Sequence, residues 1–209
     1  MLQTDVYEVK LGEEYLMSSL FTVAEEALAT LGLAAVDAEE LDVVVGGLGL
    51  AYTAGAALAD PRVRSVHVVE TLEAVIDWHE QRLLPLSPPI TDDARCHLVH
   101  GDFFALVAGG SGFGEGTPAK VDVILLDIDH TPTHVLHGSH AGFYSPAGLS
   151  RVADRLNPGG VFALWSDDPP DEAFLAVLRR VFDVAEGHLV AFPNPLTGGT
   201  SSNGVYVTR

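Results

Sequence analysis

Leu41-Asp42-Val43-Val44-Val45-Gly46-Gly47-Leu48-Gly49 reads as a buried strand that breaks straight into glycines. The next apolar run, 64–69, closes on an acid, Glu70. Strand, glycine turn, helix, strand and acid in this order describe a nucleoside-binding Rossmann-type sheet. Gly46, Gly47 and Gly49 let the backbone pass close beneath a ligand, and the Glu70 carboxylate is placed to accept from both hydroxyls of a ribose.

Outward from that core the elements alternate. Strand-like runs fall near 42–46, 64–69, 96–100, 121–127, 161–166, 184–192 and 203–208, with helical segments near 51–59, 71–84, 145–156 and 171–182. Ahead of them Leu16, Leu20, Val23, Ala27 and Leu31 recur at three- and four-residue steps, which predicts a helix within an N-terminal segment 1–40 that covers one edge of the sheet. Residues 41–209 then form one domain, an α/β fold with a seven-stranded, mostly parallel sheet and helices on both faces. Asp60-Pro61 stops one helix, Ser145-Pro146 caps and starts another, and Asn157-Pro158-Gly159-Gly160 ends it before a strand. No helical pattern separates the last two runs, so they form a hairpin whose final strand inserts antiparallel. Gly109 to Gly116 lacks the Lys-Ser/Thr ending of a phosphate loop and reads as a flexible surface connection.

Composition bounds the function. Asp plus Glu number 29 against 11 Lys plus Arg, a net charge of -18 over 209 residues, which repels a polyanion and argues against nucleic acid. The same field attracts small cations such as polyamines, although an acidic surface also serves solubility alone. Cys96 is the single cysteine, so no internal disulfide forms and a reducing cytoplasm is the expected compartment. No apolar run approaches the ~20 residues that span a bilayer, and no leader pattern opens the chain. The expected protein is soluble and binds a small molecule, as a monomer or as a homodimer formed through the sheet edge or the first helix.

Five runs recur in a fixed order: Val44-Val45-Gly46-Gly47, Val68-Val69-Glu70, Val99-His100-Gly101-Asp102, Val121 through Asp127, and Phe143-Tyr144 leading to Leu156-Asn157-Pro158-Gly159-Gly160. On these residues the chain, from Glu13 onward, resembles the spermidine synthase family. The resemblance implies a class I methyltransferase-like domain that uses decarboxylated S-adenosylmethionine, or S-adenosylmethionine itself, on a polyamine-like acceptor. The antiparallel last strand suits such folds. By resemblance Glu70 holds the ribose, Asp102 accepts from the adenine amino group and Asp127 is the catalytic carboxylate. All three acids follow apolar strands, which places them at the carboxyl edge where open α/β sheets bind ligands. Asp102 also suits a helix N-cap, and Asp127 the organisation of its own loop.

The chain departs from the family pattern at defined positions. Gly49 stands where an Asp is usual, His130 stands where the loop after Asp127 usually repeats an acid, and Met17 and Ser18 replace a tyrosine-histidine pair. The family's small N-terminal β domain is expected to be missing.

Two chemistries use the same acids. For aminopropyl transfer, Asp127 takes a proton from a substrate ammonium, while Asp129, His130, Tyr144, Asp167 and Asp168 line the acceptor side. Clustered carboxylates raise one another's pKa, which suits a proton acceptor. Alternatively Asp127, Asp167 and Asp168 bind magnesium, as in metal-dependent O-methyltransferases, although neither Lys10 nor Lys120 is placed as a base there. N-methylation of adenine or glutamine lacks its Asn/Asp-Pro-Pro-Tyr signature. A third reading is a nucleoside-binding module without catalysis.

His130, His134, His137 and His140 fall within eleven residues and fit either a transition-metal site or a gate loop over the substrate. Trp78 and His79 are expected to pack, and Trp165, ending its strand, is a candidate for the pocket wall.

Overall fold

A computed structural model describes residues 5–110, 112–114 and 116–209. The chain opens with a hairpin of β1 (Glu8–Leu11) and β2 (Glu14–Ser18), followed by α1 (Val23–Ala34). Leu16, expected on the first helix, therefore lies on a strand. The helix also turns a different face inward: Val23 is exposed, while Glu25, Leu28, Ala29, Gly32 and Leu33 are buried. The reason is close packing. A Cβ at Gly32 would stand 2.7 Å from Leu125 and 3.3 Å from Ala163, so α1 rests across a face of the sheet, against its interior strands, rather than along an edge.

The sheet contains β3 (Leu41–Gly46), β4 (Val63–Glu70), β5 (Cys96–His100), β6 (Val121–Leu126), β7 (Leu156–Ser166), β8 (Ala185–Asn194) and β9 (Gly199–Thr208). Their order is β5-β4-β3-β6-β7-β9-β8. Strands β3 to β7 run parallel, and β9 inserts antiparallel between β7 and β8, as the sequence led us to expect. Both faces are covered. On one, α1, α2 (Tyr52–Leu58), α3 (Glu73–Glu80) and α4 (Ser87–Thr91) bury Val43, Val45, Val68 and Leu125. On the other, α5 (Phe103–Gly109), α6 (Pro146–Ala153) and α7 (Glu172–Leu178) bury Val44, Ile124, Phe162 and Tyr206. Interior strands apolar on both sides are what a parallel sheet between two helical layers requires. Among the described residues no helix is long and apolar enough to cross a membrane.

Two connections differ from expectation. Asn157-Pro158-Gly159-Gly160 lies within β7, where the pairing slips from Val121–Leu156 to Val123–Val161, and Asn157 Nδ2 donates to Asp122 Oδ1 at 2.7 Å. It is a bulge inside the strand rather than a spacer before it. In the stretch 109–116, Ser111 and Glu115 lie outside the described residues. Phe113 is fully buried and stacks on Phe103 at 5.7 Å, so the connection is pinned to the core. Cys96 is half-buried, and burial pushes its thiol up to about 12, which makes it a packing residue.

Candidate active site

The parallel strands end at a common rim. There the backbone of Gly47 donates to Val69 O, that of Gly101 to Glu70 O and that of Asp127 to Gly46 O, at 2.8–2.9 Å, which locks the ends of β3, β4, β5 and β6 together. A cavity of about 450 Å³ opens above this rim. Gly47, Gly49, Glu70, Asp102, Asp127 and His130 all face it, so the sequence places most of its candidates in one chamber. Gly46 does not: a side chain there would meet Phe103 and Leu126 in the opposite layer, so this glycine serves packing.

The turn is tight for two physical reasons. Gly47 holds φ +96° with the Asp127 carbonyl lying directly where a Cβ would go, and Gly49 holds φ +46° with Met17 Sδ 2.5 Å from the same point. Only glycine meets both conditions at low cost. Met17, on β2, also accepts from the Leu50 amide at 3.2 Å, so the N-terminal hairpin seats directly on the glycine turn. His79 completes the frame from α3. It is fully buried, with Nε2 2.9 Å from Gly49 O and Nδ1 3.2 Å from Ser87 Oγ. Its role goes beyond the packing expected of it.

Glu70 accepts from the Leu48 amide at 3.0 Å through one oxygen and from the Leu72 amide at 2.8 Å through the other. A carboxylate offers about four acceptor positions, so two remain for a ligand in the cavity. Asp102 is the N-cap of α5, accepting from the Ala105 amide at 3.1 Å, and lines the cavity as well.

Asp127 lies just past the end of β6 and lines the larger cavity. Its carboxyl is deeply buried, which pushes its pKa up to about 6 against the lowering effect of the Thr53 hydroxyl, which donates at 2.6 Å. Glu25, on the buried face of α1, is the residue that sequence reasoning missed. It is 6% exposed, and burial together with the Asp127 charge pushes its pKa up to about 8. The available signal was its spacing: Glu25 stands three, four and seven positions before Leu28, Ala29 and Gly32, an acid inside an inward stripe.

A second cavity, of about 370 Å³, adjoins the first and shares Leu16, Met17, Glu25, His130 and Trp165 with it. It lies between the N-terminal hairpin and the β8–β9 hairpin, and Tyr15, Phe21, Asp167, Phe192, Asn194 and Asn203 line it. Asp167 is fixed there by Asn203, whose Nδ2 donates to Oδ1 at 3.0 Å. Trp165 does line the pocket. Of the described lining residues of either cavity, none is lysine or arginine.

The other candidates lie elsewhere. Asp129 is buried beneath its own loop, where it accepts from the Leu136 amide and from Tyr144 Oη at 2.8 Å each, and pairs with His140 Nδ1 at 2.9 Å. Neither Asp129 nor Tyr144 lines either of these two cavities; they organise the segment that carries His130, His137 and His140 to the chamber wall. His140 stacks on Phe104 with ring centroids 3.9 Å apart, and His137 caps the 3-10 turn Gly138–Gly142. His130, His137 and His140 therefore sit on a braced loop at the chamber wall. Asp168 lines neither cavity. Among the described residues no three His, Cys, Asp or Glu side chains are grouped so as to hold a metal ion.

Solved structures share this architecture. The spermidine synthase of Thermotoga maritima superimposes with a TM-score of 0.70 at 17% identity, over 93% of this chain and 62% of that one. The fold is class I methyltransferase-like. A probable spermidine synthase from Corynebacterium glutamicum matches with a TM-score of 0.65 at 20% identity, covering 99% of this chain and 73% of its own. Human methyltransferase-like protein 13, solved with SAH, matches at 0.59 and 20%, covering 89% and 82%. This chain spans about three fifths of the length of the Thermotoga enzyme. No family model matches the sequence.

Proposed function

We propose that the protein is a transferase that moves an aminopropyl or related alkyl group from an S-adenosylmethionine-type cofactor, decarboxylated or not, to a small cationic acceptor resembling a polyamine. The observation that carries this reading is the buried Asp127 carboxylate at the end of β6, in one chamber with Glu70 and beside a second chamber that is acidic and aromatic. The residues fit a nucleoside. Glu70 keeps acceptor positions for ribose hydroxyls, Gly47 and Gly49 present bare backbone, Leu72 and Ile128 offer apolar walls, and Asp102 stands ready for an exocyclic amine. Solved neighbours bound to SAH and to the transition-state analogue AdoDATO support this cofactor class.

When bound, the cofactor supplies a carbon made electrophilic by its sulfonium. Asp127 would take a proton from the acceptor ammonium and free the nitrogen lone pair to form the new N–C bond, the electrons of the C–S bond leaving with the sulfur as a neutral thioether. A pKa near 6 leaves Asp127 largely ionised at neutral pH yet basic enough to hold a proton during the step. Asp167 and the aromatic faces of Tyr15, Phe21 and Phe192 favour a cation in the second chamber.

Titration with S-adenosylmethionine, its decarboxylated analogue and methylthioadenosine, each with and without magnesium, tests the reading. Tighter binding of the decarboxylated ligand supports aminopropyl transfer. Magnesium-dependent binding of a catechol would favour methylation instead, and absence of nucleoside binding would sink the transferase. Glu70→Gln should weaken nucleoside affinity about tenfold or more, the equivalent of ~1.4 kcal/mol.

A further inference from the structure

Leu48 to Ala51 close a tight turn, the Ala51 amide donating to Leu48 O at 2.7 Å, so the Gly49–Leu50 peptide is its central unit. The orientation of that unit is what separates one turn type from another. Both of its polar ends are taken: the Gly49 carbonyl by His79 Nε2 at 2.9 Å, from α3, and the Leu50 amide by Met17 Sδ at 3.2 Å, from β2. A carbonyl only accepts, so Nε2 carries the ring proton and Nδ1 is left as the acceptor. Ser87 Oγ stands 3.2 Å from Nδ1 and already accepts from the Leu84 amide, which leaves its own hydrogen for the ring. His79 and Ser87 are fully buried, and burial holds the His79 pKa below the usual histidine range, so the ring stays neutral in this one tautomer. The turn is tied to α3 a second time, because Glu70 accepts from the Leu48 amide with one oxygen and from the Leu72 amide, at the head of α3, with the other. Of these two ties only the carboxylate faces the chamber; His79 lines neither cavity.

We propose that His79 is a positioning residue for the cofactor: the Ser87–His79–Gly49 relay keeps the Gly49 carbonyl turned towards α3 and out of the chamber, and so fixes the spacing between the bare turn and the Glu70 carboxylate. The inference rests on the cofactor reading above and adds a residue to it. A nucleoside held by Glu70 through its ribose meets the backbone of Gly47 to Gly49 across the same chamber, so the two surfaces have to keep one distance. Without the Nε2 proton the central peptide is held from one side only, by a thioether, which is a weak acceptor. The turn then samples orientations that present a bare carbonyl to the ligand, and affinity falls with the fraction of time spent in the competent one.

The test pairs two amide variants that each keep half of the ring's chemistry. Glutamine brings its amide donor close to the position of the ring Nε2, and asparagine brings its polar atoms close to that of Nδ1, so His79→Gln keeps the bond to Gly49 while His79→Asn keeps only the contact with Ser87. Calorimetry of the full chain with methylthioadenosine, well below the unfolding temperature of either variant, should show His79→Asn about tenfold weaker than the parent and His79→Gln at least about threefold tighter than His79→Asn. A role in packing alone lowers the unfolding temperature of both variants and gives no such order, so a smaller gap, or the reverse order, overturns the relay. The parent supplies a readout that does not depend on how the variants fold. With its histidines labelled with nitrogen-15, the His79 ring should show its proton on Nε2, and that resonance should move when methylthioadenosine saturates the chamber, although the ring lines no part of it. A proton on Nδ1, or a resonance that stays in place, overturns the proposal and leaves the cofactor reading standing. A parent that binds no methylthioadenosine removes the cofactor reading and the positioning role together.

Discussion

Thr53 and Asp127 lie 74 residues apart in sequence and meet at 2.6 Å, hydroxyl donating to carboxylate. The bond ties α2 to the end of β6 and holds the carboxylate in one orientation. It stabilises the ionised form and so opposes the effect of burial on the same group. Thr53→Val keeps the shape and removes the donor. The pKa of Asp127 should then rise by about one unit, since a hydrogen bond to a charged group contributes ~1.5 kcal/mol. The acidic limb of the pH–rate profile should move to higher pH by that amount, and an unmoved limb would separate Thr53 from the base.

Asp127→Asn preserves size and the bond to Thr53 but cannot accept the proton. Turnover should fall by about 10²–10⁴-fold, the usual worth of a general base, with methylthioadenosine affinity changed less than threefold. Single-turnover kinetics beside calorimetry measure the two effects separately.

Stability should depend on pH through Glu25. Its pKa rises from 4.5 when unfolded to about 8 when folded, so the folded chain holds a proton that the unfolded chain releases between those values. This contribution is fully present below about pH 4.5 and is lost as pH climbs through 8. Urea unfolding should show the parent less stable at pH 8 than at pH 5 by a few kcal/mol from this group. Glu25→Gln should flatten that slope, and an unchanged slope would contradict the burial argument.

Gly49→Ala should cost about 1–2 kcal/mol, because alanine meets both the positive φ and the sulfur of Met17. In a Met17→Ala background the steric part disappears and only the backbone part remains. A double-mutant cycle over the four proteins measures the coupling, and additivity would mean that the hairpin does not seat on the turn in solution.

Tyr144→Phe removes one of three partners from the Asp129 carboxylate and should destabilise the protein by about 1–3 kcal/mol. Amide hydrogen exchange should quicken across 129–144, with protection in β3 and β4 unaltered.

Most of the fold was legible because its signals are local. Val43 to Gly46 and Val123 to Leu126 are apolar at every position, which only a strand covered on both sides tolerates, and Ser145-Pro146 carries its cap in its own chemistry. The N-terminus misled because Leu16, Leu20, Val23, Ala27 and Leu31 fit a helical period, although hairpin pairing, such as Val9 with Met17, decides the first of them. Periodicity cannot register a partner strand. Within the site, Glu70 and Asp127 were readable because each follows a strand. Glu25 was not, because charge argues for a surface position until the neighbouring stripe is known. Asp129 and Tyr144 were expected against a ligand and instead bind each other, a pairing across fifteen residues that depends on how one loop folds back.

The placement of β9 also dictates when the molecule can finish folding. Strand β8 joins the sheet only through β9, so residues 185–194 have nothing to zip onto until residues 199–208 have left the ribosome. During synthesis the flank of β7 is left as an open ladder of amides and carbonyls, with Phe162 and Leu164 beside it, and the second chamber has no outer wall. Nascent chains halted short of residue 199 should therefore be sticky intermediates that chaperones retain, and the second chamber gains its outer wall only when β9 docks.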